Sequence, residues 1–94
     1  MSALMDKLKT AAEQAKGCKM RHVESVPVVE TFRGQVIWEG VVEVFEVPAN
    51  PVEKIYAWAV EGEKEPQYVT VKYGPPVMNA LTAVRVWLVA QSKK

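Results

Sequence analysis

The stretch GQVIWEGVVEVFEV, residues 34–47, decides the fold. Its three acids, Glu39, Glu43 and Glu46, follow the i, i+4, i+7 spacing of one helix face. However, eight of the twelve residues 36–47 are Val, Ile, Trp or Phe, which favour strands. A helix would also place Gly40 in its interior, at a cost of about 1 kcal/mol relative to alanine. We therefore predict one long strand over residues 36–47.

Alternation along this strand predicts one mainly apolar face, formed by Val36, Trp38, Val42 and Val44. Glu39 and Glu43 take the other face, but Glu46 falls in the apolar phase. One extra residue reverses the phase of a strand. We therefore predict a β-bulge near Gly40 or near Val44.

The flanking residues predict the other elements. Ser2 and Gly17 suit the start and the end of a helix over residues 2–16. Asn79 suits the start of a helix running to about Ser92, with a fifth strand as the alternative over 80–92. The remaining segments are listed in chain order: a basic connector at 18–25, a strand at 26–32, a turn at 33–35, a loop at 48–51, a strand at 54–61, a charged turn at 62–66 and a strand at 68–73.

The expected fold class is α+β. Short loops between successive strands predict a four-stranded antiparallel meander, with helices at the N- and C-terminal ends. The order α-β-β-β-β-α and the amphipathic helices predict a two-layer sandwich. At 94 residues, the chain 1–94 has room for one domain and no second core.

Composition excludes several classes of protein. Twelve basic and eleven acidic residues give a net charge of +1, which shows no general bias toward nucleic acid or acidic lipid. The single cysteine cannot form an internal disulfide, which favours a reducing compartment. The N-terminal segment does not match a signal peptide, and no apolar run reaches 18 residues. We expect a soluble, cytoplasmic protein with no membrane partner.

Three short motifs carry a resemblance: Gly34-Gln35, the Trp38-Glu39-Gly40 strand and the Tyr56-Ala57-Trp58 strand. Over most of its length the chain resembles small bacterial proteins of unknown function that have these motifs. The resemblance implies a compact α+β domain. It brings no activity, cofactor or catalytic residue to this sequence.

Cys18 and His22 are the residues on which a thiol-dependent enzyme or redox protein would depend. They lie four residues apart, a Cys–His pair can activate a thiolate, and neighbouring cations lower a thiol pKa. No third group that would orient His22 is evident. Metal binding needs three or four ligands, so we predict no metal site and no cofactor.

A candidate basic patch lies in residues 16–22, formed by Lys16, Lys19, Arg21 and His22. Such a patch could bind phosphate weakly. The RNP-type sequence of RNA-binding sheets is absent, and the net charge is near zero. A solubilising connector is therefore favoured over a nucleic-acid interface.

The strand at 54–61 is apolar on both of its faces, which predicts that both are covered by a helix, a ligand or another chain. Trp38, Tyr56 and Trp58 form the candidate partner or ligand surface, because tryptophan and tyrosine are enriched at interfaces. We expect a non-catalytic binding or protein-interaction module that uses the second face of the sheet. Its partner would be a ligand, a second copy of the chain or another protein.

Overall fold

The computed structural model describes residues 3–60, 64, 67–75 and 77–92. Its elements are, in chain order, α1 (Ala3–Lys16), β1 (Arg21–Phe32), β2 (Gln35–Val47), β3 (Asn50–Val60), β4 (Gln67–Lys72) and α2 (Ala80–Ser92). The predicted order of helix, four strands and helix is confirmed, and residues 80–92 are a helix. The predicted N-cap Ser2 and the predicted turn at 62–66, apart from Lys64, lie outside the described residues.

The four strands form one antiparallel sheet in the order β1-β2-β3-β4, which confirms the predicted meander. Its first turn is a two-residue loop, in which Arg33 has φ 52° and Gly34 has φ 79°. Phe32 and Gln35 pair on either side of this loop. Positive φ at both loop residues is typical of the type I′ turn, whose twist matches the twist of the strands.

Two strands begin well before their predicted starts, whereas β2 and β4 begin only one residue early. β1 starts at Arg21, inside the predicted connector, and β3 starts at Asn50, inside the predicted loop. The polar residues 21–25 show no apolar alternation, and they are extended because they pair with β2 along the edge of the sheet. Pro27 lies in this same edge strand, where the missing N–H is tolerated.

Strand β2 alternates without interruption from Trp38 to Glu46. The β1–β2 pairing shifts register at Val44–Phe45, where the extra residue is Val23 of β1, and again between Trp38 and Val36, where the extra residue is Ile37 of β2. The β2–β3 pairing shifts after Glu46. A register shift near Val44 is therefore present, as predicted, but its extra residue lies on β1, so the phase of β2 from Trp38 to Glu46 does not change. Glu46 keeps the apolar phase, and its buried carboxylate accepts a hydrogen bond from the Arg21 guanidinium on β1. Because Arg21 pairs with it, the Glu46 carboxylate can remain buried, and no β-bulge is needed to turn it toward solvent.

The two helices cover opposite faces of the sheet. Each helix and the sheet face beneath it form a two-layer α+β arrangement. Under α2 lies one buried cluster, whose strand residues are Val28, Val42, Val44, Tyr56 and Trp58. Under α1 lies a second cluster, in which Leu8 and Ala12 contact Phe45, Ile55 and Ala57. Both faces of β3 are therefore covered by helices of the same chain.

Helix α1 ends at Gly17, whose φ is 81° and whose N–H donates to the Glu13 carbonyl at 2.8 Å. The Glu13 carboxylate accepts a hydrogen bond from the Met20 N–H at 3.0 Å, which fixes the chain leaving the helix. Lys16 and Glu53 form an ion pair at 2.6 Å between α1 and β3. The Lys16 ammonium lowers the pKa of Glu53 below its usual value. These contacts position α1 over the sheet.

Helix α2 begins with a reciprocal cap. The Asn79 side-chain oxygen accepts from the Thr82 N–H at 2.9 Å, and the Thr82 hydroxyl accepts from the Asn79 N–H at 3.1 Å. Such a pair satisfies two backbone donors that the first helical turn leaves free. The cap explains why this valine-rich segment is a helix and not a fifth strand.

Three tryptophans pack in a row on the α2 face. Trp58 is fully buried, and its ring meets Trp38 at 6.0 Å and Trp87 at 5.7 Å in edge-to-face geometry. The Trp38 ring lies against Gly40, where a Cβ would come within 2.9 Å of it. The Trp38-Glu39-Gly40 motif therefore has a packing role, because glycine makes room for the ring two residues earlier.

An ion pair joins α2 to β1. The Arg85 guanidinium donates to the Glu30 carboxylate, and the Thr31 N–H donates to the same group at 3.1 Å. The hydrogen bond from Arg85 lowers the pKa of Glu30 below its usual value, despite the opposing effect of burial. Glu30 is therefore harder to protonate in the folded chain than in the unfolded chain.

We expect the stability that Arg85 contributes to disappear in acid. Because the pKa of Glu30 is lower in the folded state, the contribution is complete above the ordinary value of 4.5 and is lost as pH falls through the folded-state value. Urea unfolding of Arg85→Gln and of the unchanged protein, at pH 7 and at pH 3, measures this. The difference in midpoint should shrink at pH 3, and a constant difference would contradict the ion pair. Lys9→Gln serves as the control, since Lys9 is exposed and forms no salt bridge with another described residue.

Candidate binding cavity

An open cavity of about 630 Å³ lies on the α2 face of the sheet, beside the N-terminal end of α2. We call it the Tyr56 cavity. Its apolar walls come from β1, β2 and the start of α2, and include Val26, Val28, Val44, Met78, Ala80 and Leu81. The cavity exists because α2 covers only part of this face.

Five polar or charged residues line the same cavity: Glu24, Lys54, Tyr56, Tyr73 and Asn79. Strand pairing determines the relative positions of three of these residues, Glu24, Lys54 and Tyr56. Glu24 and Tyr56 both lie opposite Val44, on either side of β2, and Lys54 lies two residues before Tyr56 on the same face of β3. Polar groups from β1 and β3 are thereby directed to one apolar space.

Tyr56 is the most buried of the polar lining residues. Burial raises the pKa of its hydroxyl above the usual value, and the nearby Tyr73 and Glu24 raise it further. The hydroxyl is therefore neutral at physiological pH and can donate a hydrogen bond. Within the described residues it makes no hydrogen bond to the protein, so it is free to bind a ligand.

Glu24 and Lys54 are the only charged residues among the described residues that line the cavity. Neither forms a salt bridge within the described ranges. The Lys54 ammonium lies 5.9 Å from the centroid of the Tyr73 ring. Glu24 is exposed, and Lys54 is partly buried. The cavity thus presents one unpaired charge of each sign.

The structure separates the three residues of the predicted ligand surface. Trp58 is fully buried in the core, and the Trp38 ring packs edge-to-face against it. Neither residue lines the Tyr56 cavity. Only Tyr56 reaches the site. Lys54 was missed, although Lys54 and Tyr56 at i and i+2 of one strand must share a face. Glu24 could not be placed, because β1 was predicted to begin after it.

The predicted basic patch is largely neutralised by ion pairs. Lys16 pairs with Glu53, Arg21 with Glu46, and the His22 ring with Glu43, as the described contacts show. Lys19 is exposed. These carboxylates lower the positive potential that a phosphate group would meet.

Cys18 lies exposed in the turn after α1. His22, its predicted partner, lies in β1, where its Nε2 is 2.9 Å from the Glu43 carboxylate and its ring contacts Phe45. The Ser25 hydroxyl donates to the same Glu43 oxygen, so Ser25 and His22 share an acceptor and are not hydrogen-bonded to each other. A nucleophile activated by histidine needs that direct hydrogen bond.

The described residues contain no group of three or more His, Cys, Asp or Glu side chains arranged to hold a metal ion. Neither of the two helices in this part of the chain has the length and hydropathy needed to cross a membrane.

Comparisons of the chain with protein-family models, with curated proteins and with solved structures find no match. No family is therefore assigned to the chain, and its function is inferred from the geometry of the cavity.

Proposed function

We propose that the protein is a non-catalytic binding module whose ligand occupies the Tyr56 cavity. The observation that carries this proposal is the open cavity itself, of about 630 Å³, whose walls are apolar and polar in about equal parts. Small-molecule sites commonly have volumes of roughly 300–1,000 Å³ and combine apolar surface with polar groups that fix the orientation of the ligand. The site lies on the α2 face of the sheet, which carries Tyr56, and not on an uncovered second face.

The chemistry of the lining favours binding over catalysis. The described lining residues include no serine, threonine, cysteine or histidine, so they contain no hydroxyl or thiol nucleophile paired with a histidine base. The Tyr56 hydroxyl, with its raised pKa, suits hydrogen bonding better than proton abstraction at neutral pH. The same groups can fix the orientation of a bound molecule.

We expect small amphipathic molecules to bind in this cavity and to be displaced when it is filled. A panel of such compounds is titrated into the ¹⁵N-labelled protein, and the amide signals of Val28, Val44 and Leu81 are followed. Val26→Phe places a ring in the cavity and should weaken binding about tenfold or more. Val52→Phe is the matched control, because Val52 is exposed and is not among the residues that line this cavity. Shifts confined to other residues, or equal binding by both variants, would contradict the proposal.

A second copy of the chain is the alternative partner, and a specific surface favours it. Large apolar side chains are exposed along the β1–β2 hairpin, namely Val29, Phe32, Val36, Ile37 and Val41. Exposed apolar patches commonly mark association sites. Light scattering on the same samples measures the solution mass, and a strict monomer at high concentration would exclude this alternative.

A further inference from the structure

We infer that the ligand of the Tyr56 cavity is a zwitterion with apolar side chains: a short apolar peptide with free termini. This inference rests on the proposed function and adds the chemical class of the ligand. It follows from the two unpaired charges of the cavity and from the apolar surface between them.

The first step is charge balance. Glu24 and Lys54 contribute one negative and one positive charge, and no other described lining residue is charged. A bound ligand displaces water mainly from Lys54, which is partly buried, and less from Glu24, which is exposed. A charge that loses water without gaining a partner is costly. An anion would pair with Lys54 and leave Glu24 uncompensated, whereas a cation would do the reverse. A ligand that carries an ammonium and a carboxylate compensates both.

The second step is spacing. Glu24 and Tyr56 are separated by two strand spacings, about 10 Å in total. Lys54 lies two residues along β3 from Tyr56, which adds about 7 Å in the perpendicular direction. The Glu24 and Lys54 Cα atoms are therefore about 12 Å apart. Their side chains point into the gap, and an extended peptide of two residues, at roughly 3.5 Å per residue, spans what is left.

The third step concerns the groups between the two charges. Val28, Val44 and Leu81 offer an apolar surface to the ligand side chains. The Tyr56 hydroxyl can bond to a peptide group, since it has no hydrogen-bond partner among the described residues. The Tyr73 ring lies beside Lys54, 5.9 Å from its ammonium, and therefore borders the end of the cavity that would hold the ligand carboxylate. At the other end, a free ammonium would be held by the charge of Glu24.

Titration with end-blocked peptides tests the inference on the full chain. The probes are leucyl-leucine with free termini, its N-acetyl form, its C-terminal amide, the form blocked at both ends, and free leucine. We expect the free peptide to shift the amide signals of Val28, Val44 and Leu81. Blocking either end should weaken binding about tenfold, because one charged hydrogen bond is lost.

Two conservative variants identify which residue binds which terminus of the peptide. Glu24→Gln should remove the preference for a free N-terminus and leave the preference for a free C-terminus. Lys54→Gln should do the opposite. Glu39→Gln and Lys72→Gln are the matched controls, because both residues are exposed and neither lines the cavity. Both preferences should persist in the controls.

Each remaining outcome is decisive. If free leucine binds as tightly as the dipeptide, the inference fails, because one amino acid is too short to reach both Glu24 and Lys54. If the doubly blocked peptide binds as well as the free one, the inference fails and the proposed function stands. If none of the five probes shifts the cavity signals at millimolar concentration, the inference also fails. The wider compound panel then decides the proposed function separately.

Discussion

Replacement of Trp58 by alanine is expected to destabilise the protein by about 3–5 kcal/mol. The side chain is fully buried under α2, and its ring makes edge-to-face contacts with Trp38 and Trp87. Alanine removes these contacts and leaves a cavity that the packed sheet and helix can fill only in part. A domain with a total stability of about 5–15 kcal/mol would lose a large part of it.

Urea unfolding followed by far-ultraviolet circular dichroism measures this loss without relying on tryptophan fluorescence. Val52→Ala is the control in the same strand, because Val52 is 66% exposed. It should change the stability by less than about 0.5 kcal/mol. A loss below about 1.5 kcal/mol for Trp58→Ala would show that Trp58 is not the centre of this core.

Trp58→Phe separates packing from the polar atom of the ring. The Trp58 indole nitrogen is buried and has no hydrogen-bond partner in the described part of the chain. Phenylalanine keeps an aromatic ring in place and removes a donor whose burial is unfavourable by about 1–3 kcal/mol. We expect Trp58→Phe to lose less than about half of the stability that Trp58→Ala loses.

The order of elements could be predicted because each strong local signal agrees with the final fold. Eight strongly β-forming residues over 36–47 outweighed the helical spacing of three glutamates, and Gly34 marked the first turn. The start of β1 could not be predicted, because residues 21–25 are polar and become extended only by pairing with β2. Likewise, the sequence could not explain why Glu46 lies in the apolar phase of β2, because its partner, Arg21, lies on another strand.

The candidate site was harder to predict, because it depends on what α2 leaves uncovered. Tyr56 and Trp58 lie on the same face of β3, and sequence alone cannot tell which of them the helix covers. In the structure Trp58 is covered, and Tyr56 borders the cavity. Glu24 and Tyr56 are brought to the same cavity only by the pairing of β1 with β2 and of β2 with β3, and each pairing contains a register shift. Long-range pairing of this kind leaves no mark in local periodicity.

Leu8→Ala is expected to destabilise the protein by about 2–4 kcal/mol. Helix α1 is short and alanine-rich, so its stability depends on packing more than on intrinsic propensity. Leu8 and Ala12 are its two buried residues, and they contact the cluster of Phe45, Ile55 and Ala57. Loss of the Leu8 side chain therefore weakens the attachment of the whole helix to the sheet.

Leu4→Ala is the matched control, because it makes the same chemical change in the same helix at a side chain that is 46% exposed. Both variants change helix propensity equally, so the difference between their unfolding free energies reports burial alone. We expect Leu4→Ala to lose no more than about 1 kcal/mol. Equal losses would show that α1 is not docked through Leu8. The face of Phe45 and Ile55 would then be open, and it would replace the Tyr56 face as the first surface to test for a partner.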